Sequence, residues 1–278
     1  MKKPMLVFFL LFSVLVGNAQ NFEGIITWKI TSDITDPKVK AQMEEAQKKM
    51  NDPATQAQMK EMEEKMNDPQ MKAMMESNPQ MKAQMEAAMK MMKGGGDLSS
   101  MMPKGFTVKM KNQNVLTAMD GGMLGNIETL YLNDKKTSYQ INREAKTYSA
   151  FPESSPEQIK DTEKVDVKVT KTSETTKVLG YTCTKYIVES KTQGNTMQQH
   201  FWTTTAIKDF DFKSLAKQRM GNGQQSFFYE QIEGVPLKME MMMPQGKMVM
   251  EVTDLKKQSL SSADFAIPSG YKEVSLKY

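Results

Sequence analysis

The sequence predicts an α+β fold: a mainly antiparallel β-sheet with a methionine-rich helical insertion after its first strand. Three observations lead there. Phe22 to Thr31 alternates apolar and polar residues, with Ile26, Trp28 and Ile30 on one face, the period-2 pattern of a half-buried strand. The stretch from Asp36 to Met92 holds nearly half of the chain's 28 methionines and no Leu, Ile, Phe, Tyr or Trp. From Gly105 onward, short alternating segments recur at near-regular spacing between polar turns, the signature of an antiparallel meander.

The methionine-rich stretch is punctuated four times by Asn or Asp followed by Pro, at Asp36-Pro37, Asp52-Pro53, Asp68-Pro69 and Asn78-Pro79. An Asx side chain at an N-cap accepts from the free amides of the first helical turn. Proline at the next position loses no hydrogen bond and brings its φ already set. Each pair therefore opens a short helix. Apolar faces are expected at Val39, Met43 and Met50, at Met59, Met62 and Met66, and at Met81, Met85, Met89 and Met92. Gly94-Gly95-Gly96 provides a flexible exit.

The rest of the chain divides around this insertion. Lys2 and Lys3, the apolar run Met5 to Val16 and the small residues Gly17-Asn18-Ala19 read as a secretory signal peptide over residues 1–19. Residues 20–35 are expected to supply the first strand, 36–93 the helical insertion, 94–104 a Gly-rich linker, and 105–278 the antiparallel β-domain. Within that domain, strands are expected at Phe106–Met110, Val115–Met119, Ile127–Leu132, Thr137–Ile141, Lys146–Phe151, Val165–Val169, Thr175–Leu179, Tyr181–Glu189, Met197–Thr204, Ser226–Ile232, Leu237–Met243 and Lys247–Thr253. Short helices are expected at Ser154-Ser155-Pro156-Glu157 and at Asp211–Met220. Pro244-Gln245-Gly246 hinges the last strand pair, setting Met239, Met241 and Met243 against Met248 and Met250 as a second methionine surface.

Composition excludes several function classes. The formal charge of +4 falls to near neutrality once the leader lysines are removed, and the ten Lys of residues 36–93 are matched by ten Asp and Glu. The clustered, unpaired cations that nucleic-acid binding needs are missing. The apolar run of the leader is shorter than a membrane span, so the mature chain is expected to be soluble, periplasmic or extracellular, with at most transient membrane contact. Cys183, the single cysteine, stands in the alternating run Tyr181 to Val188 and reads as a small buried strand residue. His200, the single histidine, reads as a strand residue beside the aromatic anchor Phe201-Trp202. There is no nucleophile elbow, phosphate loop or His/Cys/carboxylate set at metal spacing, so neither an enzyme nor a cofactor is expected.

Four motifs follow one another in the β-domain: Leu179-Gly180-Tyr181-Thr182-Cys183-Thr184-Lys185-Tyr186, Phe201-Trp202-Thr203-Thr204, Gly234-Val235-Pro236-Leu237 and Phe265-Ala266-Ile267-Pro268-Ser269-Gly270-Tyr271. Through them the chain from Gly105 to the end, with Phe22 to Thr31 as first strand, resembles the DUF4412-like family of exported bacterial domains of unknown function. That family is similar, more distantly, to LolA-like periplasmic carriers. The similarity implies a strongly curved half-barrel sheet around helices, with an apolar cavity for lipid chains. The helical segment, through Asp68-Pro69-Gln70-Met71 and Asn78-Pro79-Gln80-Met81, is similar to the helical repeats of STI1-type co-chaperone modules.

Methionine is unbranched and polarizable and refits itself to different apolar shapes. The expected function is thus a non-enzymatic exported protein that holds a lipid, a lipoprotein or another hydrophobic segment in the sheet cavity, with the helices as a lid. The expected contact residues are Met59, Met62, Met66, Met81, Met85, Met89, Met239, Met241, Met248, Met250 and Trp202. Two alternatives stay open. One is a structural, self-associating envelope domain; the other is Cu(I) held by the thioethers of Met81, Met85, Met89 and Met92.

Overall fold

A computed structural model describes residues 22–71, 103–120, 127–151, 166–192, 195–210, 212 and 231–275. Twelve strands form one open, curved, almost wholly antiparallel sheet in the order β12-β6-β5-β4-β3-β2-β1-β11-β10-β9-β8-β7. The strands are β1 Gly24–Ile34, β2 Gly105–Lys111, β3 Asn114–Asp120, β4 Glu128–Leu132, β5 Thr137–Asn142, β6 Thr147–Ala150, β7 Asp166–Val178, β8 Tyr181–Thr192, β9 Asn195–Thr204, β10 Val235–Met243, β11 Gly246–Lys257 and β12 Lys272–Glu273. Consecutive strands pair from β1 to β6 and from β7 to β11, while β6 and β7 stand far apart in the sheet; β1 sits between β2 and β11, and the short β12 lies parallel to β6.

Alternation along the central strands feeds two cores on opposite faces. Ile26, Val115 and Tyr131 belong to one cluster with Trp28, Val108, Val252 and Phe210. Their chain neighbours Ile25, Leu116 and Leu130 belong to the other, with Leu132, Ile141, Leu260 and Phe265. The second core is closed by the C-terminal segment, whose 3-10 turn Ser262–Phe265 drops Phe265 against the sheet. Glu23 anchors this strap: its Oε1 accepts from the Leu260 amide at 2.6 Å and from Lys111 Nζ at 2.9 Å. Lys109 reaches Asp264 at 2.9 Å. On the first core, Trp28 stacks on Phe106 at 5.5 Å, and Phe22 meets Phe210 edge-on at 5.0 Å.

After β1 come α1, Pro37–Asn51, and α2, Pro53–Met66. Both begin as the Asx-Pro pairs dictate. Asp36 Oδ1 accepts from the amides of Lys38 and Val39, and Asp52 Oδ2 accepts from those of Ala54 and Thr55. The third pair repeats the motif, Asp68 Oδ1 accepting from the Gln70 amide at 2.8 Å. In α1 the half-buried residues are Val39, Met43, Ala46 and Met50, as the spacing requires. In α2 they are Thr55, Met59 and Glu63, whereas Met62 is 47% exposed. The half-buried line there follows the i, i+4 rows, and Met62 lies one residue off it.

Over the described residues, the strands expected separately at Val165–Val169 and Thr175–Leu179 run together as one strand, β7 (Asp166–Val178), which absorbs the interruption as a register shift between Lys171 and Thr175, with Leu179 already in the turn to β8. At the end of the expected strand Ser226–Ile232, Gln231 and Ile232 form a turn, not an extended segment. The signal peptide, the methionine-rich segment beyond Met71, residues 94–102 of the Gly-rich linker and the helices expected at 154–157 and 211–220 lie outside the described residues, Phe212 excepted. No helix among the described residues is long and apolar enough to cross a membrane.

Candidate functional site

The hairpin of β10 and β11 is the feature on which the sequence-level expectation converges, and its register sorts its residues into two chemically distinct faces. Met239 stands opposite Met250, and Met241 opposite Met248. Directly opposed residues share a face, and their chain neighbours point to the other. Following the ladders outward, one row reads Ile30, Met250, Met239, Phe201 and Tyr186 across β1, β11, β10, β9 and β8. The adjacent row reads Ser32, Met248, Met241, Gln199 and Val188. Phe201, Tyr186 and Val188 are buried, the four methionines are half-buried, and Ser32 is exposed. This band is dry toward its Phe201 row and open toward the hairpin tip.

The reverse face is ionic. Its rows read Lys29, Glu251, Lys238, Trp202 and Lys185, then Thr31, Val249, Glu240, His200 and Ile187. His200 Nδ1 lies 3.3 Å from Glu240 Oε2, and Nε2 lies 3.2 Å from Gln198 Oε1. Lys238 and Lys247 stand 3.7 and 3.8 Å from Glu240 Oε1. Burial pushes the Glu240 carboxyl up, but the His200 hydrogen bond and the charges of Lys247 and Lys238 outweigh it and hold the group below its ordinary value. Lys185 Nζ sits 5.5 Å from the centre of the Trp202 ring and pairs with Glu174 at 3.1 Å.

The structure therefore brings Met239, Met241, Met248 and Met250 together and puts Trp202 on the opposite face of the same ladder, although its ring also lies against the main apolar cluster. Met59 is half-buried on α2 and Met62 points out, while the side chain of Met66 and all of Met81, Met85, Met89 and Met92 lie outside the described residues. The neighbours that sequence reasoning left out are Ile30, Phe201, Tyr186 and Val188. Their alternation was visible in β1, β8 and β9, but only the pairing register joins them to the hairpin.

The helices start at this same hairpin. The amides of Thr35 and Asp36 both donate to the Gln245 carbonyl, at 2.9 and 3.1 Å, so α1 leaves the molecule from the β10–β11 turn. That turn needs Gly246, whose φ is +151° and where a Cβ would fall 2.1 Å from the Asp33 carbonyl oxygen.

Cys183 is fully buried in the first core, and burial pushes its thiol up. Among the described residues, no three His, Cys, Asp or Glu side chains gather as a metal site would need.

Residues 89–271 match the family described as Domain of unknown function (DUF4412), about two thirds of the chain. Among solved structures, the chain is similar to LprF from Mycobacterium bovis, with 12% identity, a TM-score of 0.29, and 63% of this chain and 85% of that one covered. It is also similar to an outer membrane lipoprotein-sorting protein domain from Vibrio parahaemolyticus, with 15% identity, a TM-score of 0.15, and coverage of 58% and 74%. No curated protein matches it.

Proposed function

The chain belongs to the DUF4412 family, and we propose that it is a non-enzymatic, exported binding protein that holds the apolar part of a lipid, a lipoprotein or another exported hydrophobic segment. The observation that carries this reading is the half-buried band of Ile30, Met250, Met239, Met248 and Met241, seated on the buried Phe201, on one face of a sheet whose reverse face is laced with charge. An ionic face repels acyl chains, whereas adjustable thioethers accept many apolar shapes at little packing cost. The methionine helices of residues 36–93 act as an arm hinged at Gln245. Helices this short are marginal alone, and no residue of α1 is buried, so their apolar faces gain area by closing over a bound ligand.

The test is native mass spectrometry of the mature protein purified from its own exported fraction, with denaturing analysis of whatever dissociates. Extra mass resolving into acyl chains or apolar peptide supports the reading. A bare monomer that also fails to take up an added apolar fluorescent probe sinks it, and a bare oligomer turns the methionine faces into a self-association surface. If a variant lacking residues 36–93 binds the probe as well as the full chain, the arm has no part in holding the ligand.

A further inference from the structure

We propose that Met239, Met241, Met248 and Met250 form a binding site for one soft monovalent cation of the Cu(I) class. The proposal goes beyond apolar binding and does not rest on it. The four residues are the corners of a rectangle fixed by backbone pairing, not by side-chain flexibility. Opposed β-carbons in such a ladder lie about 5 Å apart, and residues two apart along a strand about 7 Å. A point above the centre is within reach of all four thioethers, because each side chain has three rotatable bonds with which to lean inward.

The chemistry of the surround selects the ion. Thioether sulfur is a soft, neutral ligand that favours Cu(I), while Mg²⁺ and Ca²⁺ require oxygen donors and Zn²⁺ favours thiolate, imidazole or carboxylate. The rows flanking the rectangle contribute Ile30 and Phe201 at one end and Ser32 and Gln199 at the other; none is anionic. The charged groups of the paired stretch of the hairpin, Lys238, Glu240, Lys247 and Glu251, lie on the reverse face with His200. A hard divalent ion would meet no countercharge here, whereas a large polarizable monovalent ion meets four sulfurs. One end of the rectangle is dry and the other open, which gives the ion a path in from the hairpin tip. Thioethers do not titrate, so binding releases no proton and its affinity stays flat across neutral pH, unlike that of a Cys or His site.

The experiment uses the mature full-length chain and Ag(I), a redox-inert probe of the same class, in chloride-free buffer, read by native mass spectrometry and competition titration. Two variants are compared: M239L/M241L/M248L/M250L, and a helix control, M43L/M50L/M59L/M62L. Leu and Met are close in volume and such swaps are tolerated in packed sites, so circular dichroism should report both as folded. The wild type and the helix control should each hold one tightest ion, and the sheet variant should lose it. Absence of binding by the wild type overturns the proposal. So does retention of the ion by the sheet variant, which would move the site to other methionines such as Met81, Met85, Met89 and Met92, and so does its loss from the helix control. Affinity that rises steeply between pH 5 and 8 also overturns it, since that rise belongs to a titrating ligand. The apolar probe is followed in parallel. Ion binding by the wild type without uptake of the probe, or uptake of the probe without ion binding, separates failure of one reading from failure of the other.

Discussion

The backbone N–H of Asp36 donates to the carbonyl of Gln245 at 3.1 Å, while the Asp36 side chain accepts from the amides of Lys38 and Val39. One residue thus starts the first methionine helix and pins it to the turn of the methionine hairpin. Asp36→Ala removes the cap but keeps the backbone bond. It should cost α1 about 1 kcal/mol, seen as faster amide exchange at Lys38 and Val39 with the β10–β11 amides unchanged. Equal loss of protection in both elements would mean that helix and hairpin fold as one unit.

Glu240 gives the reverse face its pH dependence. Its carboxyl is held below the ordinary value of 4.5 in the folded protein, so it contributes stability above that value, and the contribution is lost as pH falls through the folded value. Denaturant titrations of the wild type should therefore show an acid limb that Glu240→Gln flattens, with the two curves converging at the acid end. A Glu240→Gln curve parallel to the wild type throughout would show that other carboxylates, such as Glu23 and Asp264, which are also held low, carry the acid limb.

Cys183 should behave as a core residue. With the side chain fully buried and the thiol pushed up by that burial, the native protein should resist iodoacetamide at pH 8 and react fully once unfolded. Cys183→Ser should lower stability by about 1–3 kcal/mol, because the hydroxyl is a stronger polar group than the thiol and must find a partner in an apolar cluster. Rapid alkylation of the native protein would contradict this placement.

Phe265 tests the C-terminal strap. It is buried against Leu116, Leu130 and Ile141 on the face opposite Trp28. Phe265→Ala should cost about 3–5 kcal/mol, measured by urea unfolding, whereas Lys109→Ala, which removes the partly exposed pair to Asp264, should cost about 1 kcal/mol or less. A Phe265→Ala protein as stable as the wild type would show that the strap is dispensable for the core.

What the sequence determined by itself was local. Asp36, Asp52 and Asp68 before proline specify helix starts because cap and ring act within a few residues of backbone. The pattern around Pro244-Gln245-Gly246 specifies a hairpin and sets Met239 and Met241 against Met250 and Met248, because a short turn leaves little choice of register. The two-residue period also made Cys183 a core residue. Tertiary structure decided everything that depends on a distant partner. It inserted β1 between β2 and β11, joined two expected strands into β7, and laid the C-terminal segment over Leu130 and Ile141. It also separated Trp202 from the methionines and joined them to Ile30 and Phe201. Alternation tells which residues share a face, but only pairing across strands tells which faces meet, since that choice is made by burial and hydrogen bonding between segments as far apart as Gly24 and Lys257.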